Sequence, residues 1–577
     1  CCLLCVYLAT SAGHTSSNDE EEMFAVTQGL LDRGSPALLP AVAQALAVPP
    51  GSYLPAADGR FYSRFQSLPV LLDMPFYELG NLVAALNDPA YRGFITRGAA
   101  VTLSAVATAG TGVALGLVAV ELGAGPAAAA TLGLLFGLTT IAWPYAKYLW
   151  SEPLAAFFLV VTILCAARAA RRDQPSYLAA AGVAFGLDIS ARSSMLVATV
   201  PLLAYVLAGS LPANSVRQAV LRVLKNECLL VFSFAVVALI LARLGYVRSG
   251  TLDSLSRVLG GFTGTVGAGT GPAPAVPGLP APNVPRGLYG LLFSSGKSVF
   301  LYSPPLIAAA MATPLWVRRH VREALFLLPA VAAALLAAAA LPYWAGDAAW
   351  GPRYLVPLVP LCLLPLAAVL SPGSSRLALA ALMVTGVLGL VFQLVGVATN
   401  YDTYIFETGG PTGSGALARW FQPGASPMLA AGRQLVTNIR LVLTPVEPGQ
   451  YAFVRGVYQA EGGQSFPRWT DGQAILRLNT RASGPVRIQA EMVQPDFGHR
   501  RTAPDIRLIL DGRPTVSRST LEQSQPGWFQ GAIDLPSVAA GIHALEIASP
   551  VFVPSQTGGG PDSRTLGVQL AALAIGD

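Results

Sequence analysis

The chain has 577 residues, 53% of them hydrophobic and only 12% charged, about half the charged share of an ordinary soluble domain, which excludes a protein solvated by water along its whole length. Its net charge of +6 comes from short basic clusters between apolar stretches and not from one continuous face or arm, which excludes a nucleic-acid-binding reading. All six cysteines (Cys1, Cys2, Cys5, Cys165, Cys228, Cys362) lie in or beside apolar stretches, which leaves neither a disulfide framework nor a CxxC metal pattern.

Residues 1–12 are apolar, too short to span a bilayer and without a basic flank before them, and read as part of a first membrane helix entered part-way. A polar stretch over 13–97 follows. Apolar segments then recur near 98–120, 126–146, 151–168, 176–191, 194–209, 227–246, 299–316, 323–342, 353–370 and 376–398. A helix rising 1.5 Å per residue crosses a hydrocarbon core of about 30 Å in roughly 20 residues, so these segments predict about eleven crossings. The basic connections (Arg168, Arg171 and Arg172; Arg217, Arg222 and Lys225; Arg318, Arg319 and Arg322; Arg376) all fall on one face of that count, which the positive-inside rule makes cytoplasmic. Residues 13–97, 147–151, 192–193, 247–298, 343–352 and everything beyond 398 then lie outside.

Within 13–97, two apolar-periodic segments at about 20–32 and 68–86 predict amphipathic helices lying along the outer interface. The stretch from Gly260 to Pro285 is dense in Gly and Pro and reads as a long external loop, a lid or a passive linker. From about 451 the pattern changes to short β-like runs (Tyr451–Tyr458, Val486–Val493, Ile506–Leu510, Trp528–Leu535, His543–Ile547, Leu566–Ile575), separated by turn chemistry such as Asp511-Gly512. The expected architecture is therefore an α-helical polytopic membrane domain over 1–398, a connector over 399–450 and an extracytoplasmic all-β sandwich of jelly-roll type over 451–577.

The densest chemistry is Asn18-Asp19-Glu20-Glu21-Glu22, where the first helix leaves the bilayer. Asn18 with Glu21 suits a helix cap, and acids in a first turn meet the macrodipole favourably. Capping needs two of the four acids at most, and a carboxylate held in an enclosed but water-accessible place can act as general base. A second outer turn runs from Trp143 to Pro153 and places Lys147 and Glu152 between two apolar helices, as a functional pair or as an ion pair with Ser151 capping the next helix. The chain has three lysines among its 37 basic residues, and Lys147 and Lys297 are on the outer side with Arg60, Arg64, Arg192 and Arg353. Converging on one cleft, these cations would bind a phosphate; singly, each suits an interfacial anchor. Gly296-Lys297-Ser298 is not a P-loop, because Leu291 stands where the first glycine is needed. The four histidines lack metal-ligand spacing, so the sequence shows no metal-ligand set and no required cofactor, and it does not decide a divalent-metal requirement.

An enzyme whose acids face outward has no nucleotide sugar to draw on, so an activated sugar must arrive on a membrane carrier. A polyprenyl phosphate is a suitable leaving group, with a carboxylate to deprotonate the acceptor and cations to hold the departing phosphate.

Taken in order, these loops resemble bacterial polytopic glycosyltransferases of the GT-C class, similar to protein O-mannosyltransferases and lipid A aminoarabinose transferases. The residues carrying the resemblance are Asn18-Asp19-Glu20, Asp58-Gly59-Arg60-Phe61-Tyr62-Ser63-Arg64-Phe65, Trp143-Pro144-Tyr145 through Ser151-Glu152-Pro153, Gly287 through Ser294, Tyr302-Ser303-Pro304-Pro305 and Trp350-Gly351-Pro352-Arg353-Tyr354-Leu355. The resemblance implies inverting transfer from a polyprenyl-phosphate-linked sugar to a glycan, lipid or protein acceptor on the outer face of a bacterial cytoplasmic membrane. It implies Asp19 as base with Glu20 adjacent, Glu152 as a second site acid and Arg64 and Arg353 on the phosphate. The aromatic residues of these motifs, Tyr62, Tyr145, Tyr302, Trp350 and Tyr354, are the expected pocket lining. The chain departs from the family at Arg64 and Phe65, where Lys and Tyr are frequent. Two other classes fit parts of the pattern: a transporter or flippase of lipid-linked glycans, for which Asp188 is the main intramembrane acid, and a glycosidase using tail acids such as Asp471, Asp496 or Asp505.

Overall fold

The computed structural model describes residues 1–15, 17–39, 53–55, 60–63, 65–87, 92–211, 215–249, 283–346, 348–408, 415–443, 445–458, 468–493, 506–515, 518–519, 522–525, 528–549 and 566–575. They fall into two units: Cys1–Leu38, Leu54–Val397 and Leu417–Ser426 form one, and Leu39–Tyr53, Ala398–Ala416 and Pro427–Asp577 the other. The connector read over 399–450 is thus shared, since Leu417–Ser426 goes with the first unit.

The first unit is helical, and each apolar segment read as a span contains helix. Among the described residues, six helices are long and apolar enough to cross a membrane: Arg92–Glu121, Ser151–Arg172, Ser193–Ser210, Val216–Leu241, Val321–Ala339 and Arg376–Ala398. Length separates this count from the expected eleven or so. The segment near 126–146 is a helix over Pro126–Thr139, stopped by extended Thr140, and then a single turn over Ala142–Tyr145. The segment near 353–370 is cut into the short helices Arg353–Leu358, Val359–Cys362 and Leu366–Val369 by Pro357, Pro360 and Pro365, none of which can donate a backbone hydrogen bond. The segment near 299–316 breaks between Tyr302 and Pro305.

Burial sorts these helices by place. Ser151–Arg172 has 67% of its most apolar window buried, whereas Val216–Leu241 has 6% and Arg376–Ala398 17%. Phe232, Leu239 and Ile240 on one, and Leu377, Met383 and Val387 on the other, are exposed. Contiguous apolar exteriors of this kind suit lipid as solvent.

The two expected amphipathic helices occur as Asn18–Arg33 and Ser67–Ala84. They pack with Arg92–Ala100 through Phe24 against Tyr77 (5.6 Å between ring centroids), the Tyr77 hydroxyl donating to Asp32 (2.9 Å), and Arg92 and Arg97 donating to Asp32 and Glu21. Two short strands, β1 (Tyr53–Pro55) and β2 (Phe61–Ser63), form a small sheet, and Leu38 bridges to Phe61. The cap of the first helix differs by one residue from expectation. Ser17, not Asn18, is the N-cap, and its hydroxyl accepts from the Glu20 N–H.

The ends of the bundle carry different ion pairs. At one end Arg168 and Arg172 donate to Glu121 (2.8 and 2.7 Å), and Arg171 pairs with Glu323, which brings the basic 168–172 and 318–322 connections together. The starts of the Asn18, Ser151 and Arg353 helices and the end of the Pro175–Ala191 helix meet at the other.

The second unit contains β3 (Gln450–Val457), β4 (Arg468–Thr480), β5 (Gly484–Val493), β6 (Arg507–Leu510), β7 (Arg513–Pro514), β8 (Arg518–Ser519), β9 (Glu522–Gln525), β10 (Trp528–Val538), β11 (Gly541–Ala548) and β12 (Val568–Ile575). The strand order is β7-β6-β11-β4-β12-β5-β10-β8, with β3 also on β4 and β9 on β10. Only Trp469 and Arg468 of β4 pair with β12, so the sheet folds there into two halves around one core. Ala474, Leu476 and Leu478 from β4, Val486 and Ile488 from β5, Ile533 and Leu535 from β10 and Leu545 and Ile547 from β11 fill that core. Asp511-Gly512 makes the β6–β7 hairpin with φ of 50° and 75°, the positive pair that a type I′ turn requires. Asp496 and Asp505 and most of Gly260–Pro285 lie outside the described residues.

Candidate active site

The acidic run at 19–22 begins a helix, and helical geometry points its members in different directions. Glu20 is 0% exposed: it takes the Ser17 hydroxyl on one oxygen (2.8 Å) and the Leu149 N–H on the other (3.2 Å), tying the start of the Asn18–Arg33 helix to the 147–151 turn. Glu21 accepts two hydrogen bonds from Arg97 (2.7 and 3.0 Å) and one from Thr15. Burial alone would raise its pKa, but the adjacent Arg97 charge and its hydrogen bonds hold the carboxyl below the usual range. Glu22 is buried. Asp19 turns the other way and takes a hydrogen bond from Arg353 Nη2 at 3.0 Å, with 18% of its side chain exposed.

Arg353 leads from Asp19 to the second acid. Its Nε donates to Glu152 Oε1 at 2.5 Å, and Arg192 Nη1 donates to the same oxygen at 2.5 Å. Glu152 enters the first turn of the Ser151–Arg172 helix, where an acid meets the macrodipole favourably. The N-cap there is Trp150, and Ser151, expected as the cap, instead donates to Glu152 at 3.4 Å. The Arg353 guanidinium lies 4.1 Å from the Trp150 ring centre and that of Arg192 5.5 Å from the Tyr354 ring. Two carboxylates and two guanidinium groups, drawn from four separate parts of the chain, thus form one charge-balanced network. Two arginines held by an acid present further N–H groups in fixed directions, the arrangement that binds an oxyanion.

The other expected site residues divide. Tyr145 stacks at a tilt on Trp150, 5.7 Å between centroids, and belongs with the network, as does Tyr354. Lys147 donates to the Val397 carbonyl (2.8 Å), while Glu152 takes its ion pairs from the arginines. Lys297 is 0% exposed, donates to the Ala349 and Gly351 carbonyls (2.7 and 3.2 Å) and lies 4.7 Å from the Trp420 ring centre. Its charge is turned inward, where it fixes the loop that presents Arg353. Tyr302 and Trp350 pack edge to face at 5.0 Å, and Gln393 links them by accepting from the Trp350 indole and donating to the Tyr302 carbonyl. These two support the loop from inside. Arg60 is exposed and Tyr62 buried; Arg64 lies outside the described residues. Trp150 and Gln393 were not singled out by the sequence. Trp150 stood in a quoted motif, between Lys147 and Glu152, and that place was the available signal.

No family model and no curated protein matches the chain. Among solved structures it is similar to the oligosaccharyltransferase AglB of Archaeoglobus fulgidus in complex with an inhibitory peptide and a dolichol-phosphate (12% identity, TM-score 0.40, covering 70% of this chain and 57% of that one). It is similar also to the apo form of the A. fulgidus oligosaccharyltransferase (14%, 0.39, 73% and 59%) and to the arabinosyltransferase EmbB of Mycobacterium smegmatis (11%, 0.35, 100% and 64%). The chain spans under two thirds of the length of each of these structures.

Proposed function

We propose that the protein is a multi-span membrane glycosyltransferase that moves a sugar, with inversion, from a polyprenyl-phosphate donor to an acceptor hydroxyl on the outer face of the membrane. The observation that carries this reading is the Asp19–Arg353–Glu152–Arg192 network, at the end of the bundle opposite the paired basic connections.

Asp19 is the general base. It is the partly exposed acid of the network, whereas Glu20 is enclosed by the groups it binds. Asp19 takes the acceptor's hydroxyl proton as the acceptor oxygen attacks the anomeric carbon from the face opposite the phosphate. The bond from that carbon to the phosphate oxygen breaks, and its electron pair leaves on the polyprenyl phosphate. Arg353 and Arg192 stabilise the charge that develops there, and Glu152 keeps both guanidinium groups aimed. The donor enters from the lipid side, so no nucleotide site is needed. Glycan, lipid and protein hydroxyls are all chemically competent acceptors.

Asp188 lies buried in the Pro175–Ala191 helix, the kind of position a transporter or flippase of lipid-linked glycans would use. One experiment separates the readings: purified protein is incubated with polyprenyl phosphate sugars, and transfer is compared for wild type, Asp19→Asn and Glu152→Gln. Asp19→Asn is expected to lose about 100-fold or more in rate with its Tm unchanged. Glu152→Gln loses transfer and Tm together, because it removes the buried carboxylate that the Arg192 and Arg353 guanidinium groups share. Undiminished transfer in Asp19→Asn defeats the mechanism, and movement of intact donor across the bilayer without cleavage assigns the protein to transport.

A further inference from the structure

The network contains buried polar atoms with no hydrogen-bond partner among the described residues. Tyr145 is 3% exposed, and its hydroxyl has no hydrogen-bond partner among the described residues. Arg192 Nε is likewise buried without a partner there, although Nη1 of the same group is bound to Glu152. The Tyr145 hydroxyl lies close enough to Glu152, Arg353, Arg192 and Tyr354 for their charges to act on it. Its ring is set against Trp150, the residue on which Arg353 rests. Buried hydroxyl and guanidinium N–H groups are almost always paired in folded proteins, and an exception beside a charge network marks a group whose partner is a ligand or an internal water. Both orphan groups are hydrogen-bond donors, and both stand beside cations.

Donors beside cations select an anionic oxygen. Asp19, bonded to Arg353, is the partly exposed acid of this network, and side-chain rotamer changes at a site are common on binding. Building on the glycosyltransferase reading above, we propose that Tyr145 Oη and Arg192 Nε are the two donors that take a phosphate oxygen of the lipid-linked substrate. Tyr145 is then a direct substrate ligand. Of the five aromatic residues the sequence marked for the pocket, Tyr302 and Trp350 serve the loop that carries Arg353, and Tyr145 serves the phosphate.

The assignment predicts opposite effects of Tyr145→Phe on binding and on stability. The hydroxyl makes no hydrogen bond among the described residues, so its removal leaves Tm unchanged or raised, while affinity for a phosphate falls. The probes are a C55 polyprenyl phosphate, the matching polyprenol and inorganic phosphate, with full-length protein in detergent. Wild type binds the polyprenyl phosphate more tightly than the polyprenol, and Tyr145→Phe weakens the former by about tenfold or more while leaving the latter unchanged. A fall in Tm with unaltered binding would assign the hydroxyl to an internal water and overturn the proposal. Equal binding of inorganic phosphate, with equal loss in the variant, would make the ligand a free anion and overturn the lipid-linked assignment. If wild type transfers sugar and Tyr145→Phe matches it in affinity, this inference fails alone; if wild type does not bind polyprenyl phosphate, the proposed function fails with it.

Discussion

Asp19 and Asp73 sit in the helices Asn18–Arg33 and Ser67–Ala84, and their surroundings give them different chemistry. Asp19 meets Arg353 at a partly exposed edge. Asp73 is 1% exposed, neither of its oxygens has a hydrogen-bond partner among the described residues, and Thr27 beside it gives its hydroxyl to the Met23 and Val70 carbonyls. Burial pushes the Asp73 pKa up to about 7. Unfolded, the same group ionises near 3.9. Between those values the unfolded chain gives up a proton that the folded chain keeps, so stability falls as pH rises through that window and levels off above about 7. The full effect is on the order of 4 kcal/mol. Asp73→Asn removes it: wild type melts lower at pH 8 than at pH 5, and the variant loses that difference. An unchanged slope in Asp73→Asn would place the titration elsewhere. The sequence shows four acids in a row at 19–22 and cannot rank them, because their roles depend on partners from the 147–151 turn, Arg97 and Arg353.

At the scale of elements, helix packing sets how closely the loops approach. The Thr102–Glu121 and Pro126–Thr139 helices cross at Gly112 and Gly133, where a Cβ on Gly133 would stand 2.6 Å from the Gly112 carbonyl oxygen. Small residues at such crossings let backbones touch. Gly133→Val is therefore expected to lower stability by about 1–3 kcal/mol through forced separation, seen as a lower Tm in detergent. A variant with wild-type Tm would show that the helices can part without cost. Apolar periodicity made most helices legible, including Asn18–Arg33 and Ser67–Ala84. Element ends were less so: the cap moved from Asn18 to Ser17 because the choice depends on which side-chain oxygen faces the Glu20 N–H. The longest strand, Arg468–Thr480, was not among the expected runs. Its Asp471-Gly472 pair has turn chemistry, yet the strand passes through it, with Gly472 at φ 97° and the Asp471 side chain accepting the Gln473 N–H.

For the molecule as a whole, the two ends of the helical unit are chemically distinct. The basic connections are drawn to Glu121 and Glu323 at one end, and the mixed-charge network forms at the other. On the positive-inside rule the first end is expected to face the cytoplasm. In a cysteine-free background, a cysteine replacing exposed Arg60 should react with a membrane-impermeant maleimide in intact cells, and one replacing exposed Arg319 only after lysis. The reverse pattern would turn the site toward the cytosol and remove the reason for a lipid-linked donor.

The sequence by itself determined the helical and β regions, the basic connections and the set of outer-loop acids and cations, because hydropathy, periodicity and charge act over a few neighbouring residues. Only the tertiary structure decided which charges meet. Asp19 and Arg353 are 334 residues apart and Glu152 and Arg353 are 201 apart, so their pairing depends on how helices pack and on prolines that shorten the segment after Arg353. The same packing turned Lys297 inward and left the Tyr145 hydroxyl without a partner among the described residues, a distinction between two outer-loop polar groups that no local pattern encodes.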